Sequence, residues 1–154
     1  MSRKIVHVVG TGTIGEPLIG LLCDFKEDLG IDEITFHKNT PLTSDRSKVV
    51  RLLNRGARLT TRSDRMDGFN SIGLSPEFTT EESIDRADVV IDCTPKGYGH
   101  QNKIEYYNKF SHNTSGFIAQ GSEVGFGKMY ARGINDMSLV KDKDKFIHVV
   151  LVLV

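Results

Sequence analysis

Apolar residues in this chain fall into short unbroken runs separated by stretches with helical spacing. Lys4 to Val9 is a β-branched run that predicts a strand buried on both faces. Gly10-Thr11-Gly12-Thr13-Ile14-Gly15 follows at once. Ile14, Leu18, Leu21, Phe25 and Leu29 then recur at spacings of four, three, four and four. That periodicity predicts a helix with one apolar stripe, Pro17 in its first turn and Gly30 at its stop. Glu33 to His37 reads as a second strand, and Lys38-Asn39-Thr40-Pro41 as a loop, since the residue before proline avoids the helical region. Thr43 or Ser44 caps a predicted helix carrying Val49, Val50, Leu52 and Leu53, which ends before Gly56. Ala57 to Thr61 predicts a strand, Arg62 to Pro76 a polar loop with one short element, and Glu81 to Arg86 a helical turn. Asp88 to Cys93 is a strand stopped by Thr94-Pro95-Lys96-Gly97, and residues 99–110 a helix with Ile104, Tyr107 and Phe110 turned inward. Gly116 to Gln120 is a further strand followed by Gly121. Lys128 to Asn135 has no decisive pattern, Lys141 to Lys145 is a charged turn, and Phe146 to Val154 is a final strand.

Strands and helices in alternation imply a parallel sheet covered on both faces, in one domain spanning residues 1–154. Such sheets bind ligands beyond the carboxyl ends of their strands, where strand order reverses. The glycine-containing turns after Val9, Cys93 and Gln120 all fall at predicted strand ends, so one crevice can collect all three.

Composition narrows the partners. Lys plus Arg number 20 and Asp plus Glu number 20, a balance that gives no support to a polybasic nucleic-acid binder. The apolar N-terminal run is too short for a signal-peptide core, and Val149 to Val154 is far below the ~20 residues that span a bilayer. Two cysteines, Cys23 and Cys93, exclude a disulfide framework and fit a reducing compartment. The expectation is a cytoplasmic protein with neither nucleic acid nor membrane as partner.

The chemistry rests on the first glycine turn. A bare G-x-G-x-x-G pattern is weak, but here it directly follows a strand and opens an amphipathic helix, the context that dinucleotide binding needs. Gly10 permits the tight turn, Gly12 lets the backbone approach a pyrophosphate, and Gly15 lets the helix pack close to the strand. Unpaired amides and the partial positive charge at the helix start would meet the phosphates. The plain alternative is a tight turn with no ligand. The acid that selects NAD is expected about 20 residues on. Asp32 and Glu33 lie near that distance but precede the strand, whose end reads His37-Lys38-Asn39-Thr40. A carboxylate there would repel a 2′-phosphate and Lys38 would attract one, so NADP is expected to be accepted, with a preference over NAD left open. A solvated loop lysine is the alternative for Lys38.

Other candidates are weaker. Cys93 sits at a strand end without a local base, and Cys23 lies in the first helix, so both read as structural. Five histidines show no ligand spacing, and no metal site is expected. Lys96 reads as a solvated turn lysine.

In combination these segments are more specific. Gly10 to Gly15, the acid-free Lys38 to Pro41, Asp92-Cys93-Thr94-Pro95-Lys96-Gly97-Tyr98-Gly99, Phe117-Ile118-Ala119-Gln120-Gly121-Ser122-Glu123 and Phe146-Ile147-His148-Val149-Val150 stand in that order. From Lys4 to Val150 the chain resembles the N-terminal half of archaeal-type (type II) glyceraldehyde-3-phosphate dehydrogenases. The resemblance implies a Rossmann-like α/β fold, a doubly wound and mostly parallel sheet with helices on both faces. It implies NADP or NAD as cofactor, a homo-oligomer, and oxidation of glyceraldehyde 3-phosphate through a cysteine thiohemiacetal. By the same resemblance Thr13 and Ile14 meet the cofactor pyrophosphate, and Lys38 and Thr40 the adenosine ribose or its phosphate. Thr94 and Pro95 flank the nicotinamide end, and Gly121 is a cofactor-contacting glycine.

One departure stands out. In the family the strand resembling Phe146 to Val150 leads into the nucleophilic cysteine, whereas here Leu151-Val152-Leu153-Val154 follows. The expectation is therefore a cofactor-binding domain without nucleophile or catalytic domain, inactive alone, with no catalytic residue of its own. The alternative is a stand-alone dinucleotide sensor or the partner subunit of a split dehydrogenase. The apolar C-terminal strand, if it forms an exposed edge, predicts association through that end.

Overall fold

The computed structural model describes residues 2–150. Eight strands form one sheet: β1 (Ile5–Val9), β2 (Glu33–His37), β3 (Arg58–Thr61), β4 (Phe78–Thr79), β5 (Val89–Asp92), β6 (Gly116–Gln120), β7 (Lys128–Tyr130) and β8 (Phe146–Val149). Their order across the sheet is β4-β3-β2-β1-β5-β6-β8-β7. Each paired neighbour runs parallel. From β1 the chain winds outward to β4, then returns to lay β5 on the other side of β1. The reversal lies between β1 and β5, where a doubly wound sheet opens its crevice.

Buried strands need helices on both faces. Val6 and Val8 of β1 share a core with Ile34, Phe36, Leu59 and residues of α1 (Gly15–Asp24), α2 (Arg46–Asn54) and α3 (Met66–Ser71). Val9 points the other way, into a core with Val90, Phe117 and Ile84 of α4 (Thr80–Arg86). That second core is aromatic: Tyr107 stacks on Phe117 and Phe117 on Phe146, both at 4.9 Å between ring centroids. Tyr107 closes a π-helical turn, Lys103–Tyr107, set between α5 (Tyr98–Asn102) and α6 (Asn108–Phe110).

The foot of the sheet, opposite the crevice, is tied by charge. The Glu33 carboxylate is buried and meets Arg3, Arg58 and Arg86 at 2.9–3.0 Å. Burial alone would raise its pKa. The hydrogen bond and charge of Arg86, with Arg58 and Arg3, outweigh that and hold it below the ordinary range.

Several expectations need correction. Ile14, Leu21, Phe25 and Leu29 do not face the core; they are 49–57% exposed. The inward face of α1 is Gly15, Ile19 and Gly20. A Cβ on Gly20 would lie 2.3 Å from the Arg55 guanidinium, so beside Ile19 the helix also packs through its glycines, which a count of large apolar side chains overlooks. α1 also stops at Asp24, before Gly30, which instead ends the turns that follow. Neither Thr43 nor Ser44 caps α2; a 3₁₀ turn over Thr43–Asp45 runs straight into it. Ile104 is exposed while Tyr107 is buried, because the wider π turn shifts the helical register. β8 lies between β6 and β7, so its described residues form an inner strand rather than a free edge. The expected association through residues 151–154 falls outside the described residues.

Candidate functional site

The carboxyl ends of β1, β5 and β6 are neighbours in the sheet, so the turns after them meet as expected. Gly10 has φ +104°, and its amide reaches back to the carbonyl of His37 at 3.3 Å, linking the first turn to the end of β2. A Cβ on Gly15 would sit 1.9 Å from the Gly10 carbonyl oxygen, so only glycine lets α1 start this close to β1. Gly12 behaves oppositely: no atom lies within 4 Å of where its Cβ would be. That open space faces a cavity of about 450 Å³ lined by Gly10 to Ile14, Cys93 to Pro95 and Gln120. No side chain caps α1 at Ile14; the Glu16 amide is taken up by the Gly12 carbonyl at 3.1 Å and Pro17 has no N–H, so the amides the cavity meets are those of its lining turn, Gly12 to Ile14.

A second cavity of about 480 Å³ shares Gly10, Thr11, Thr94 and Pro95 with the first. It extends past the ends of β2 and β3 to His37, Lys38, Thr40 and Arg62, with Tyr98 and Tyr106 on the far wall. The two are lobes of one crevice divided by the glycine turn. The sites expected at Gly10, Gly12, Thr13, Ile14, Lys38, Thr40, Thr94 and Pro95 line one lobe or the other, and Gly15 is buried beneath them. Gly121 lines neither. It follows Gln120 with φ +69°, and its carbonyl accepts a 2.7 Å hydrogen bond from Nε2 of the buried His148.

Buried carboxylates hold the crevice floor. Asp92 accepts from the Thr94 amide at 3.0 Å, from the Thr94 hydroxyl, from Asn102 Nδ2 at 3.0 Å and from the Tyr107 hydroxyl at 2.6 Å. Burial first, and the Asp92 charge second, push the Tyr107 phenol well above its ordinary pKa, so it stays a donor. Glu123 accepts from the amides of Gly97 at 2.5 Å and His100 at 3.2 Å. The two segments singled out in the sequence, 92–99 and 120–123, thus act as one unit: a carboxylate from each fixes the Thr94–Gly97 turn.

His37, His7 and the two thiols are kept uncharged. Burial, with a smaller effect of Arg62, lowers His37 to about 4. Burial, helped by His37, lowers His7 to about 3. Cys93 is raised to about 12 by burial and by Asp92, and burial also raises Cys23, so neither thiol is prepared as a nucleophile. Lys38 is neither solvated nor free: its ammonium is buried and bound to Asp45 at 2.6 Å. No group of metal-ligating side chains occurs among the described residues, and none of their helices is long and apolar enough to cross a membrane.

Sequence reasoning missed Arg62, Asn102 and the roles of Asp92 and Glu123. Arg62 was legible as the residue after a predicted strand, at the same sheet edge as Lys38. The Asp92–Asn102–Tyr107 contacts depend on the π turn, which leaves no periodic mark.

No family model matches the chain. Among curated proteins, the chain is 32% identical over 118 residues to glyceraldehyde-3-phosphate dehydrogenase of Pyrobaculum islandicum, covering 77% of this chain and 31% of that protein. It is 30% identical over 143 residues to the enzyme of the same name from Pyrobaculum neutrophilum, covering 84% and 40%. It is 32% identical over 108 residues to that from Methanococcoides burtonii, covering 69% and 30%. The chain spans about a third of the length of the curated relatives it matches. Over these residues it is homologous to the archaeal glyceraldehyde-3-phosphate dehydrogenases and similar to their N-terminal part.

Proposed function

We propose that this chain, as a relative of those dehydrogenases, binds a nicotinamide dinucleotide along the two-lobed crevice and serves as the cofactor-binding part of a glyceraldehyde-3-phosphate dehydrogenase-like oxidoreductase. The observation that carries the reading is the open space at Gly12, set against the uncapped start of α1. Backbone without a side chain, next to unpaired amides and a helix dipole, suits a diphosphate. Thr13 and Ile14 would supply amides there. The adenosine would extend toward Lys38 and Thr40, and the nicotinamide toward Thr94, Pro95 and Gly121.

When bound, the dinucleotide would supply a hydride acceptor. The chain's own part is to hold and orient it: Asp92 and Glu123 fix the Thr94–Gly97 turn, and the tight Gly10–Gly15 turn fixes the amides. Its two thiols are in no state to attack an aldehyde, so the chain alone should not oxidise glyceraldehyde 3-phosphate. Calorimetric titration with NADPH and with NADH tests the reading. Binding of at least one is expected, and binding of neither would sink it.

A second reading, a partner subunit of a split enzyme or a stand-alone sensor, draws on the exposed apolar side chains in and around α1, Ile14, Leu21, Phe25 and Leu29, of which Ile14 lines the crevice. Mixing the chain with a separately expressed C-terminal part of a relative separates the two forms of this reading. Restored dehydrogenase activity favours a split enzyme, and cofactor binding without rescue favours a sensor.

A further inference from the structure

Two cations line the lobe that runs past β2 and β3, and they are in different states. The Lys38 ammonium is 10% exposed and donates to Asp45 at 2.6 Å. That bond, the largest influence on Asp45, holds its carboxyl below the ordinary range, so the charge of Lys38 is already matched. Arg62 is the first residue after β3. Its position beside Lys38 is fixed by the sheet: the Lys38 amide donates to the Thr60 carbonyl at 3.1 Å, and the Thr61 hydroxyl to the Lys38 carbonyl at 2.8 Å.

The Arg62 side chain is 47% exposed. Its carboxylate partner among the described residues is Asp64, two positions on, at 3.0 and 3.2 Å. Asp64 is itself exposed and shared with Arg65 at 3.7 Å. Such solvent-exposed pairs hold their members weakly and yield to a better partner. A guanidinium fork matches two phosphate oxygens at once, which an ammonium does not. Glu105 is the carboxylate that lines this lobe, and its Oε1 is engaged by the Gln101 amide at 2.9 Å.

We propose that Arg62, rather than Lys38, is the specificity-determining residue for a phosphate on the adenosine 2′ oxygen, so that the crevice prefers NADP to NAD through the end of β3. The assignment rests on the dinucleotide reading above, and the experiment separates the two. NADPH and NADH are titrated into the wild-type chain and into Arg62→Ala, Arg62→Lys and Lys38→Met variants. Arg62→Ala should weaken NADPH binding about 10- to 100-fold, the span of one or two charge-assisted hydrogen bonds, and leave NADH within about twofold. Arg62→Lys, with charge but no fork, should fall between, and Lys38→Met should cost NADPH less than Arg62→Ala. Equal effects of Arg62→Ala on both cofactors, or none on either, would overturn the assignment. So would a larger loss of NADPH from Lys38→Met. A wild-type chain that binds neither nucleotide would instead sink the dinucleotide reading, and this assignment with it.

Discussion

Gly12 and Gly15 stand three residues apart in one turn and answer to different demands. Gly15 is required by the fold, since any side chain would run into the Gly10 carbonyl. Gly12 is free of neighbours and its φ is not left-handed, so the fold tolerates a methyl there. Gly12→Ala should therefore change stability by no more than about 1 kcal/mol in urea denaturation, while weakening NADPH and NADH binding about tenfold or more in titration. Loss of stability with unchanged binding would assign the glycine to folding. The need for a bare backbone at Gly15 was readable from the spacing, because the constraint is local. His7 was not, because its state depends on burial beneath strands far away in sequence. In the unfolded chain it takes a proton near pH 6.5, but in the fold only at about 3. Below pH 6.5 the unfolded chain binds more protons, and stability falls as pH drops through 6.5 toward 3. His7 contributes about 1.4 kcal/mol per pH unit to that slope. His37, at about 4, adds a contribution of the same sign. In His7→Gln, which keeps a partner for the Thr35 hydroxyl, denaturant midpoints between pH 6.5 and 5 should show a slope smaller by about one proton.

Elements buried on both faces were the most legible in the sequence. β2 and β6 match their predicted bounds, although β2 alternates Ile34 and Phe36 with the polar Glu33, Thr35 and His37, which burial leaves bonded to Arg86, His7 and Thr80. The helices were less so. The length of α1 and the direction of its apolar stripe misled, since α1 turns Ile19 into the core, Gly15 onto the Gly10 carbonyl and Gly20 onto Arg55, and periodicity weighs only bulky side chains. A double variant, Leu21→Lys with Phe25→Lys, checks the direction directly. Two core substitutions would cost several kcal/mol. On an outward face the pair should cost about 1 kcal/mol or less by urea denaturation. The candidate site shows the same division. Its glycine turn is a property of consecutive residues. The grip of Asp92 on Asn102 and Tyr107 needs the π turn, and the pairing of Lys38 with Asp45 needs a 3₁₀ turn to fold back on β2.

At the scale of the whole molecule, the sheet is held by charge at one end and left open by glycine at the other. The Glu33 cluster gathers the N-terminal segment, β3 and α4 at the foot. The crevice end is closed only by two turns pressed together, with the Cys93 side chain 3.4 Å from where a Gly15 Cβ would lie. Cys93 is thus a native probe of that end. It is 7% exposed, lines the Gly12 lobe and is scarcely ionised near neutral pH, so a small alkylating reagent reaches it slowly, through that lobe or when the two turns part. The labelling rate of Cys93, followed by mass spectrometry, should be far slower than that of the half-buried Cys23. Saturating NADPH should slow it further, by up to about 100-fold at 100 times the dissociation constant if opening releases the nucleotide. The chain would then report its own occupancy through a sulfur atom on the wall of the lobe.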